Sequence, residues 1–283
     1  MKGWRPMTRI KWTWLSTAVF YTLLTVAAIS AIYPFAWMIS TSLKTNFGVL
    51  QTPPSLIPDP LTGENYLRVG EVFPVWRFFF NSLYVGLVST ALQVLSCAMG
   101  AYAFSRLQWK GREAVFLLYL GTMMIPFQVT MVPLFILIKW LGWADTHWAL
   151  IVPSIFSAFG TFLLRQSMLT LPRDLEEAAF IDGASHWTVF TRIILPLSKP
   201  SLGTLTVFSF MGNWNSFLWP MVIINSRKLM TLPLGLANLH GRWSSEWNLV
   251  MAGAVISVVP VILVYLFAQK SFVKGAILSG LKG

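Results

Sequence analysis

The acidic side chains of one polar segment, residues 171–200, have the types and spacing expected of a docking element for another protein. Four of the chain's ten acidic residues fall within nine positions of it: Asp174, Glu176, Glu177 and Asp182. Stretches without any charged residue, 146–164 and 200–226, lie on either side. Partner-facing chemistry on this scale is found nowhere else in the chain. We refer to residues 171–200 as the acidic loop.

The spacing within the acidic loop predicts two short helices joined by a glycine turn. Asp174 is placed to cap the first helix, and Glu177, three residues later, completes a capping box. Gly183 can supply the left-handed backbone conformation that commonly ends a helix. Ser185 can cap the second helix, which Pro196 then stops.

Both predicted helices also carry apolar residues at helical spacing. They are Leu175, Ala178, Ala179 and Ile181 in the first helix and Trp187, Phe190, Ile193 and Ile194 in the second. This apolar surface either packs as a lid against the ends of the chain's own helices or docks on a partner protein. The spacing alone does not favour one of these two alternatives.

The composition of the whole chain is that of a membrane protein. Hydrophobic residues make up 55% of it and charged residues 11%, with a mean hydropathy of +0.64. Six long intervals, each of 19 or more residues, contain no charged residue: 12–43, 78–105, 114–138, 146–164, 200–226 and 247–269. About 20 apolar residues of helix cross the ~30 Å of hydrocarbon in a bilayer. A Lys or Arg at the bilayer centre costs about 2.5–3.5 kcal/mol. The sequence therefore predicts an all-α integral membrane domain, residues 14–270, with spans near 14–40, 78–104, 114–138, 147–165, 200–225 and 248–269.

The basic residues predict the orientation of these six spans. Fourteen of the 21 lie in the N-terminal segment, the 105–113 loop, the region 165–199 and the C-terminal segment. By the positive-inside rule, the tails (1–13 and 271–283) and the acidic loop between the fourth and fifth spans are cytoplasmic. Because these charges are divided among membrane-flanking loops, we expect membrane lipid and no nucleic acid as a partner.

Several other kinds of site are disfavoured by the residues present. No carboxylate lies inside a predicted span, which argues against a proton or cation relay. The histidines, at positions 147, 186 and 240, have no metal-ligand spacing, so no metal site is expected. The single cysteine, Cys97, excludes an intramolecular disulfide and is expected to be a buried apolar residue.

The predicted fifth span contains side chains that could bind a neutral polyol. They are Asn213, Trp214, Asn215, Ser216 and Trp219. Aromatic rings stack on the C–H faces of sugars, and amides bond hydroxyl groups without carrying charge. The alternative is that the tryptophans are membrane-interface residues and the amides bridge neighbouring helices.

Prolines occur inside the predicted spans at positions 34, 126, 133, 153, 220 and 260. They indicate either ordinary helix kinks or broken helices, and broken helices often line transport pathways.

The motif EAAFIDGA, from Glu177 to Ala184, resembles the EAA loop of permeases in binding-protein-dependent ABC importers. The likeness continues through Phe190, Ile193, Leu195-Pro196 and Pro200. The tract from Trp214 to Pro220 is similar to the fifth span of the carbohydrate-uptake branch. Ser42-Leu43-Lys44 and Phe272-Val273-Lys274-Gly275 also resemble that branch. Within that branch, the chain resembles the smaller subunit of maltose-type permease pairs.

This resemblance implies that the acidic loop is a coupling element seated in a groove on a cytoplasmic ATPase subunit. The coupling residues would be Glu177, Ala178, Ala179, Asp182, Gly183 and Ala184. The implied partners are a second permease subunit, two cytoplasmic ATPase subunits and an extracytoplasmic solute-binding protein that meets the 227–248 loop. The expected cargo is a sugar, and the expected location is the cytoplasmic membrane of a bacterium or archaeon.

The chain contains no G-x-x-x-x-G-K-[ST] phosphate loop, so it is not expected to be an enzyme. ATP and Mg²⁺ would be bound by the partner ATPase, and this chain would hold no cofactor. Two alternatives are a permease of the same architecture for a phosphorylated polyol or other small solute, and a self-sufficient secondary transporter. Basic residues facing the pathway would favour the phosphorylated solute, and the six charge-free intervals contain none.

Overall fold

The computed structural model describes residues 14–242 and 246–280, which are mostly helical and contain no β-strand. The predicted N-terminal tail and residues 281–283 lie outside the described residues. The helices are α1 Trp14–Ser42, α2 Asn46–Val49, α3 Glu64–Val72, α4 Val75–Ser105, α5 Arg112–Gly121, α6 Phe127–Trp140, α7 Trp148–Ser154, α8 Ala158–Leu169, α9 Asp174–Ile181, α10 His186–Val189, α11 Leu195–Leu197, α12 Lys199–Trp214, α13 Leu218–Ile223, α14 Leu232–Arg242 and α15 Trp247–Gly280. The prediction of an all-α fold is confirmed.

Four helical segments of the described ranges are long and apolar enough to cross a membrane. They are Ser16–Ser42, Val75–Ser105, Trp148–Leu169 and Trp247–Leu266. These segments coincide with the predicted first, second, fourth and sixth spans. Their positions follow from the charge-free intervals, because each interval supplies enough apolar helix to match the hydrocarbon thickness.

The predicted third and fifth spans are not continuous helices. Arg112–Met124 and Phe127–Trp140 meet at an angle of 100° around Pro126, which has no N–H to continue the helical bonding. In the fifth span, α12 ends at Trp214 and α13 begins at Leu218. In addition, α12 is bent by 79° from the preceding segment His186–Leu197. Counting each bent pair as one span gives up to six spans in the described ranges.

Helix α4 is the central element of the bundle. It packs against α8 and α12, while α12 packs against α15 and α1 runs along α15. Three clusters of buried apolar side chains form the core, and α4 contributes to each of them, through Cys97, Phe78 and Val85 respectively. The helices that carry the acidic loop and the fifth span are therefore fixed to one common support.

The close approach of α4 and α8 depends on Gly160. A Cβ atom at this position would lie 2.8 Å from the Sγ of Cys97 and 3.0 Å from Leu205 Cδ1. Cys97 is 1% exposed, and its thiol donates to the carbonyl of Ser157 at 3.4 Å. The expectation of a buried structural cysteine is confirmed.

Two long segments between the predicted spans, residues 45–77 and residues 227–248, contain helices. In the first segment, Glu64–Val72 form α3, and Pro74 separates α3 from α4. Much of the second, residues 227–248, is the helix α14, which packs against α4 and α15. Leu232 and Leu239 of α14 are fully buried, so this part of the segment is a packed helix rather than a loose loop.

Candidate functional site

The first helix of the acidic loop begins differently from the prediction. Arg173 is the N-cap residue, and its backbone already has helical angles (φ −75°, ψ −26°). Asp174 is therefore the first helical residue rather than the cap, and no side-chain capping bond forms. The predicted capping box of Asp174 and Glu177 is wrong. The carboxylates of Asp174, Glu176 and Glu177 all lie in the first turn of α9 instead. There the positive end of the helix dipole favours negative charge.

The turn after α9 has the predicted form. Gly183 has φ +81° and open space around its α-carbon, so backbone conformation rather than crowding requires glycine here. The N–H of Ala184 donates to the carbonyl of Ala179 at 2.9 Å, and the N–H of Gly183 donates to Phe180 at 3.0 Å. This pair of bonds is a Schellman motif, and Ala179 and Ala184 pack together on the same core cluster.

The second helix of the acidic loop begins as predicted but ends later. The Ser185 hydroxyl accepts the N–H of Thr188 at 3.3 Å, which confirms the N-cap. Residues Phe190–Ile194 then form a π-helical turn, and the helix continues through Pro196 to Leu197. Pro196 does not stop the helix, because the wider π turn redirects the carbonyls that its ring would otherwise strike. Pro200 lies in the first turn of α12.

The apolar residues of the acidic loop are divided between two surfaces. Val189, Phe190 and Ile194 are buried against α4 and α8. Five large apolar side chains face outward instead. They are Leu175 (46% exposed), Phe180 (39%), Ile181 (86%), Trp187 (63%) and Leu197 (44%). The second helix therefore serves mainly as the lid on the bundle, and α9 presents an outward face with apolar side chains that the described residues do not cover.

The six candidate coupling residues lie on or next to this outward face. Glu177, Ala178, Asp182 and Gly183 are exposed, while Ala179 and Ala184 are partly buried. The alanines and the glycine thus have a structural role in the turn, and the exposed carboxylates of Glu177 and Asp182 are free to meet another surface.

A buried ion pair that the sequence did not predict joins the acidic loop to α4. Arg106 Nη1 lies 2.8 Å from Glu176 Oε1, and their side chains are 4% and 9% exposed. Burial raises the pKa of Glu176, against the opposing charges of Arg106 and Arg173, and burial also lowers the pKa of Arg106. Glu176 precedes Ala179 by three residues, so both lie on the same face of α9. Because Ala179 packs against the core, this spacing is the one sequence signal that could have identified Glu176 as a buried residue.

A second ion pair holds the start of α5. Arg165, 10% exposed at its side chain, donates to both carboxylate oxygens of Glu113 at 2.8 and 2.9 Å. Its guanidinium also lies 4.1 Å from the centre of the Phe116 ring. This pair ties α5 to α8 and does not involve the acidic loop.

A cavity of about 520 Å³ opens where the predicted third and fifth spans are broken. Its polar lining comes from Ser154, Asn213, Asn215 and Ser216. Its apolar lining comes from Phe127, Leu150, Pro153, Phe217, Leu218 and Trp219. None of these lining residues is charged. The arrangement offers hydroxyl and amide groups beside aromatic surface, which suits a neutral, hydroxyl-rich molecule.

Four of the five candidate pathway residues line this cavity, and Trp214 does not. Trp214 is 1% exposed, stacks on Phe210 and donates its indole N–H to the carbonyl of Ser257 at 3.1 Å. Trp219 contributes to the lining, but its indole N–H donates to the carbonyl of Ala149 at 2.8 Å. Both indoles therefore join helices, and the cavity's other aromatic surface comes from Phe127 and Phe217.

The two asparagines of the cavity differ in how firmly they are held. Asn215 donates to the carbonyl of Met211 on its own helix at 2.9 Å. Asn213 lies 3.5 Å from the hydroxyl of Thr90 on α4. Phe127 and Ser154 were missed from the sequence, although each is adjacent to a proline, Pro126 or Pro153, that indicated a possible helix break.

Comparison with known proteins agrees with this architecture. The chain is 35% identical over 274 residues to the arabinooligosaccharides transport system permease protein AraQ of Halalkalibacterium halodurans, covering 96% of this chain and 97% of the relative. It is 34% identical over 261 residues to the lactose transport system permease protein LacG of Rhizobium radiobacter, covering 92% and 95%.

Solved structures share the fold. A chain of a bacterial ABC transporter involved in the import of the acidic polysaccharide alginate superposes with a TM-score of 0.83 at 26% identity, covering 90% of this chain and 96% of that one. The family model for the binding-protein-dependent transport system inner membrane component matches residues 94–277, which include the acidic loop and the 520 Å³ cavity. The chain therefore belongs to the family of inner membrane components of binding-protein-dependent transport systems.

Proposed function

We propose that this chain is the membrane-spanning permease subunit of an ATP-driven importer of a neutral sugar or oligosaccharide. The observation that carries the proposal is the uncharged cavity of about 520 Å³ at two helix breaks, within a chain whose full-length relatives are named as oligosaccharide and lactose permeases. The related alginate importer handles an acidic polysaccharide. The lining of the cavity here contains no Lys or Arg, which favours a neutral cargo over an acidic or phosphorylated one.

In this proposal the cavity lies on the substrate pathway. Asn213, Asn215 and Ser216 would bond sugar hydroxyls, and the aromatic edges beside them would cover the apolar faces of the ring. Trp219 would contribute surface while remaining fixed by its own hydrogen bond. Broken helices are common at the binding sites of transporters because freed backbone groups can then line a polar cavity.

The acidic loop would be the coupling element. Its outward apolar residues, with the exposed Glu177 and Asp182 beside them, form a surface suited to a groove on a cytoplasmic ATPase subunit. Moving a two-state gate from 1:99 to 99:1 requires about 5.5 kcal/mol of differential binding. A few exposed ion pairs at about 0–1 kcal/mol each cannot supply that, so the apolar contact must carry most of it.

The complete transporter would contain this chain, a second permease subunit, two ATPase subunits that bind ATP and Mg²⁺, and an external solute-binding protein. A solved complex of the alginate transporter with its periplasmic protein shares this fold at 16% identity. We propose six spans with both termini in the cytoplasm of a bacterial or archaeal cell. That arrangement counts the bent pair Arg112–Met124 and Phe127–Trp140 as one crossing and α12 with α13 as another. It keeps most basic residues on the cytoplasmic side.

The test is uptake into proteoliposomes that contain the full complex and enclosed ATP. Labelled neutral oligosaccharides should accumulate when the binding protein is outside, and a uronic acid oligosaccharide or sugar phosphate offered at the same concentration should not. Accumulation of the anionic solutes alone would contradict the proposed cargo. Filling the cavity with Ser216→Phe should reduce neutral-sugar uptake. The matched control is Ser30→Phe, on the exposed surface of α1 and outside the cavity.

A further inference from the structure

We infer that the Arg106–Glu176 ion pair is the joint that transmits movement of the acidic loop to the transmembrane bundle. The inference rests on the proposed coupling role of the loop and assigns a positioning role to two residues outside the coupling motif. Neither residue would touch substrate or nucleotide. Their proposed task is to make α9 and the end of α4 move as one body.

The first argument is the number of segments that one side chain connects. Arg106 is the residue immediately after α4, and its guanidinium is almost fully buried. It pairs with Glu176 on α9 at 2.8 Å. It also donates to the carbonyl of Met168, at the end of α8, and to that of Leu171, at the start of the acidic loop, the latter at 3.0 Å. Three segments of the chain are thus fixed to one rigid planar group.

The second argument is how little else holds α9. Glu176 is the one fully buried residue of this eight-residue helix, and Ala179 is the one partly buried. A helix this short is marginal by itself, so its position depends on such tertiary contacts. Because most of its apolar residues face outward, a force applied to that surface would reach the bundle mainly through Glu176 and the turn at Ala179.

The third argument is the chemistry of the link. Breaking a buried ion pair leaves an uncompensated charge away from water, which is far more costly than separating two apolar surfaces by a small distance. Arg106 and Glu176 also share a cavity of about 130 Å³ with Glu177, the glutamate of the coupling motif. The joint therefore lies directly beneath the residue that would meet the ATPase subunit.

The test compares Glu176→Gln with Asp174→Asn in the complete transporter. Both variants remove one negative charge from the first turn of α9, but only the first removes the partner of Arg106. In Glu176→Gln we expect the complex to assemble and hydrolyse ATP, while the amount of sugar transported per ATP falls at least tenfold. Asp174→Asn should keep the wild-type ratio.

A second experiment replaces the ion pair with a covalent link. Arg106→Cys/Glu176→Cys in a Cys97→Ala background should be uncoupled when reduced. Joining the two thiols with a short bifunctional reagent should restore transport per ATP, since the link then no longer depends on charge. If Glu176→Gln fails to assemble, transport per ATP by the crosslinked double-cysteine variant still tests the inference.

The outcomes separate this inference from the proposed function. If the wild-type complex couples ATP hydrolysis to uptake and Glu176→Gln does so equally well, the joint is refuted and the permease function stands. If the crosslinked protein stays uncoupled, the role of the pair in transmission is also refuted. If the wild-type complex shows no ATP-driven uptake, the proposed function itself fails.

Discussion

At the scale of single residues, glycines at 160 and 183 show two different physical requirements. Gly183 has open surroundings and is needed for its positive φ, whereas Gly160 has an ordinary helical backbone and is needed for space. The Gly183 requirement could be predicted from the sequence, because a turn between two helical patterns is a local feature. The Gly160 requirement could not, because Cys97 and Leu205 reach it from distant parts of the chain.

Gly160→Ala should therefore destabilise the bundle. The new methyl group would lie 2.8 Å from Cys97 Sγ and 3.0 Å from Leu205 Cδ1, and overpacking of this kind costs about 1–3 kcal/mol. The measurement is the thermal unfolding midpoint of the purified protein, with Gly121→Ala as control because that position has open space. Adding Cys97→Ala should recover part of the loss. Equal midpoints for the Gly160 and Gly121 variants would contradict the proposed packing.

Asp145 shows how one carboxylate can hold two distant segments together. It lies between α6 and α7 with φ +58°, and it accepts the backbone N–H groups of Asn225 and Ser226 at 2.9 and 2.8 Å. Burial acts to raise its pKa, but the hydrogen bonds from the hydroxyl and N–H of Ser226 and from Asn225 outweigh it and hold the pKa below its ordinary value. The ionised form is thus the one that stabilises the fold.

This gives a pH dependence with a defined sign. A lowered pKa in the folded state contributes stability that is complete above the unfolded value of 3.8 and is lost as the pH falls through the folded value. Asp145→Asn, which also tolerates positive φ, should cost about 1 kcal/mol at neutral pH. The difference in unfolding midpoint between wild type and variant should shrink below about pH 4. A difference that is constant from pH 7 to the acid limit would refute the ionised role.

At the scale of elements, the charge pattern predicted where apolar helix lies but not where it breaks. Charged residues are so costly in hydrocarbon that their absence reliably marks a span. A break depends instead on whether neighbouring helices satisfy the freed carbonyls, which is tertiary information. Pro126 ends a helix, whereas Pro34, Pro133 and Pro260 lie inside continuous helices. The proline positions alone therefore could not separate broken spans from intact ones.

The same limit applies to the candidate site. The type of side chain at 213–219 predicted a polar patch in the fifth span, and four of the five named residues do line the cavity. Trp214 points elsewhere because α12 continues through it and directs its indole towards α15. The cavity also needs Phe127 and Ser154, which come from other helices and which no pattern within 213–219 could indicate.

Trp214 and Ser216 should consequently behave differently when substituted. Trp214→Phe removes the bond to the carbonyl of Ser257 and should cost about 0.5–1.5 kcal/mol of stability while leaving the KM for sugar uptake unchanged. Ser216→Phe should raise that KM with little change in the unfolding midpoint. Uptake kinetics and thermal unfolding of both proteins give the comparison. A raised KM for Trp214→Phe at unchanged stability would place that ring in the pathway after all.

Two apolar surfaces are left uncovered by the residues that the structure describes, 14–242 and 246–280. None of the most apolar 18-residue window of α1 is buried within the chain, and this helix contacts the rest of the described residues chiefly through α15. Such a surface requires lipid or a second membrane chain. The outward face of α9 likewise requires a partner, since several exposed large apolar side chains on a polar loop are typical of an interaction site.

These uncovered surfaces lead to the central claim, that this permease moves its cargo only when a partner ATPase acts on the acidic loop. The most direct measurement is ATP-dependent sugar accumulation in proteoliposomes, comparing the wild-type complex, the membrane subunits without ATPase, and complexes carrying Gly183→Val or Gly183→Asn. Only the wild type and, in part, Gly183→Asn should accumulate sugar, because asparagine tolerates positive φ and valine does not. Accumulation by the membrane subunits alone, or full coupling by Gly183→Val, would contradict the claim.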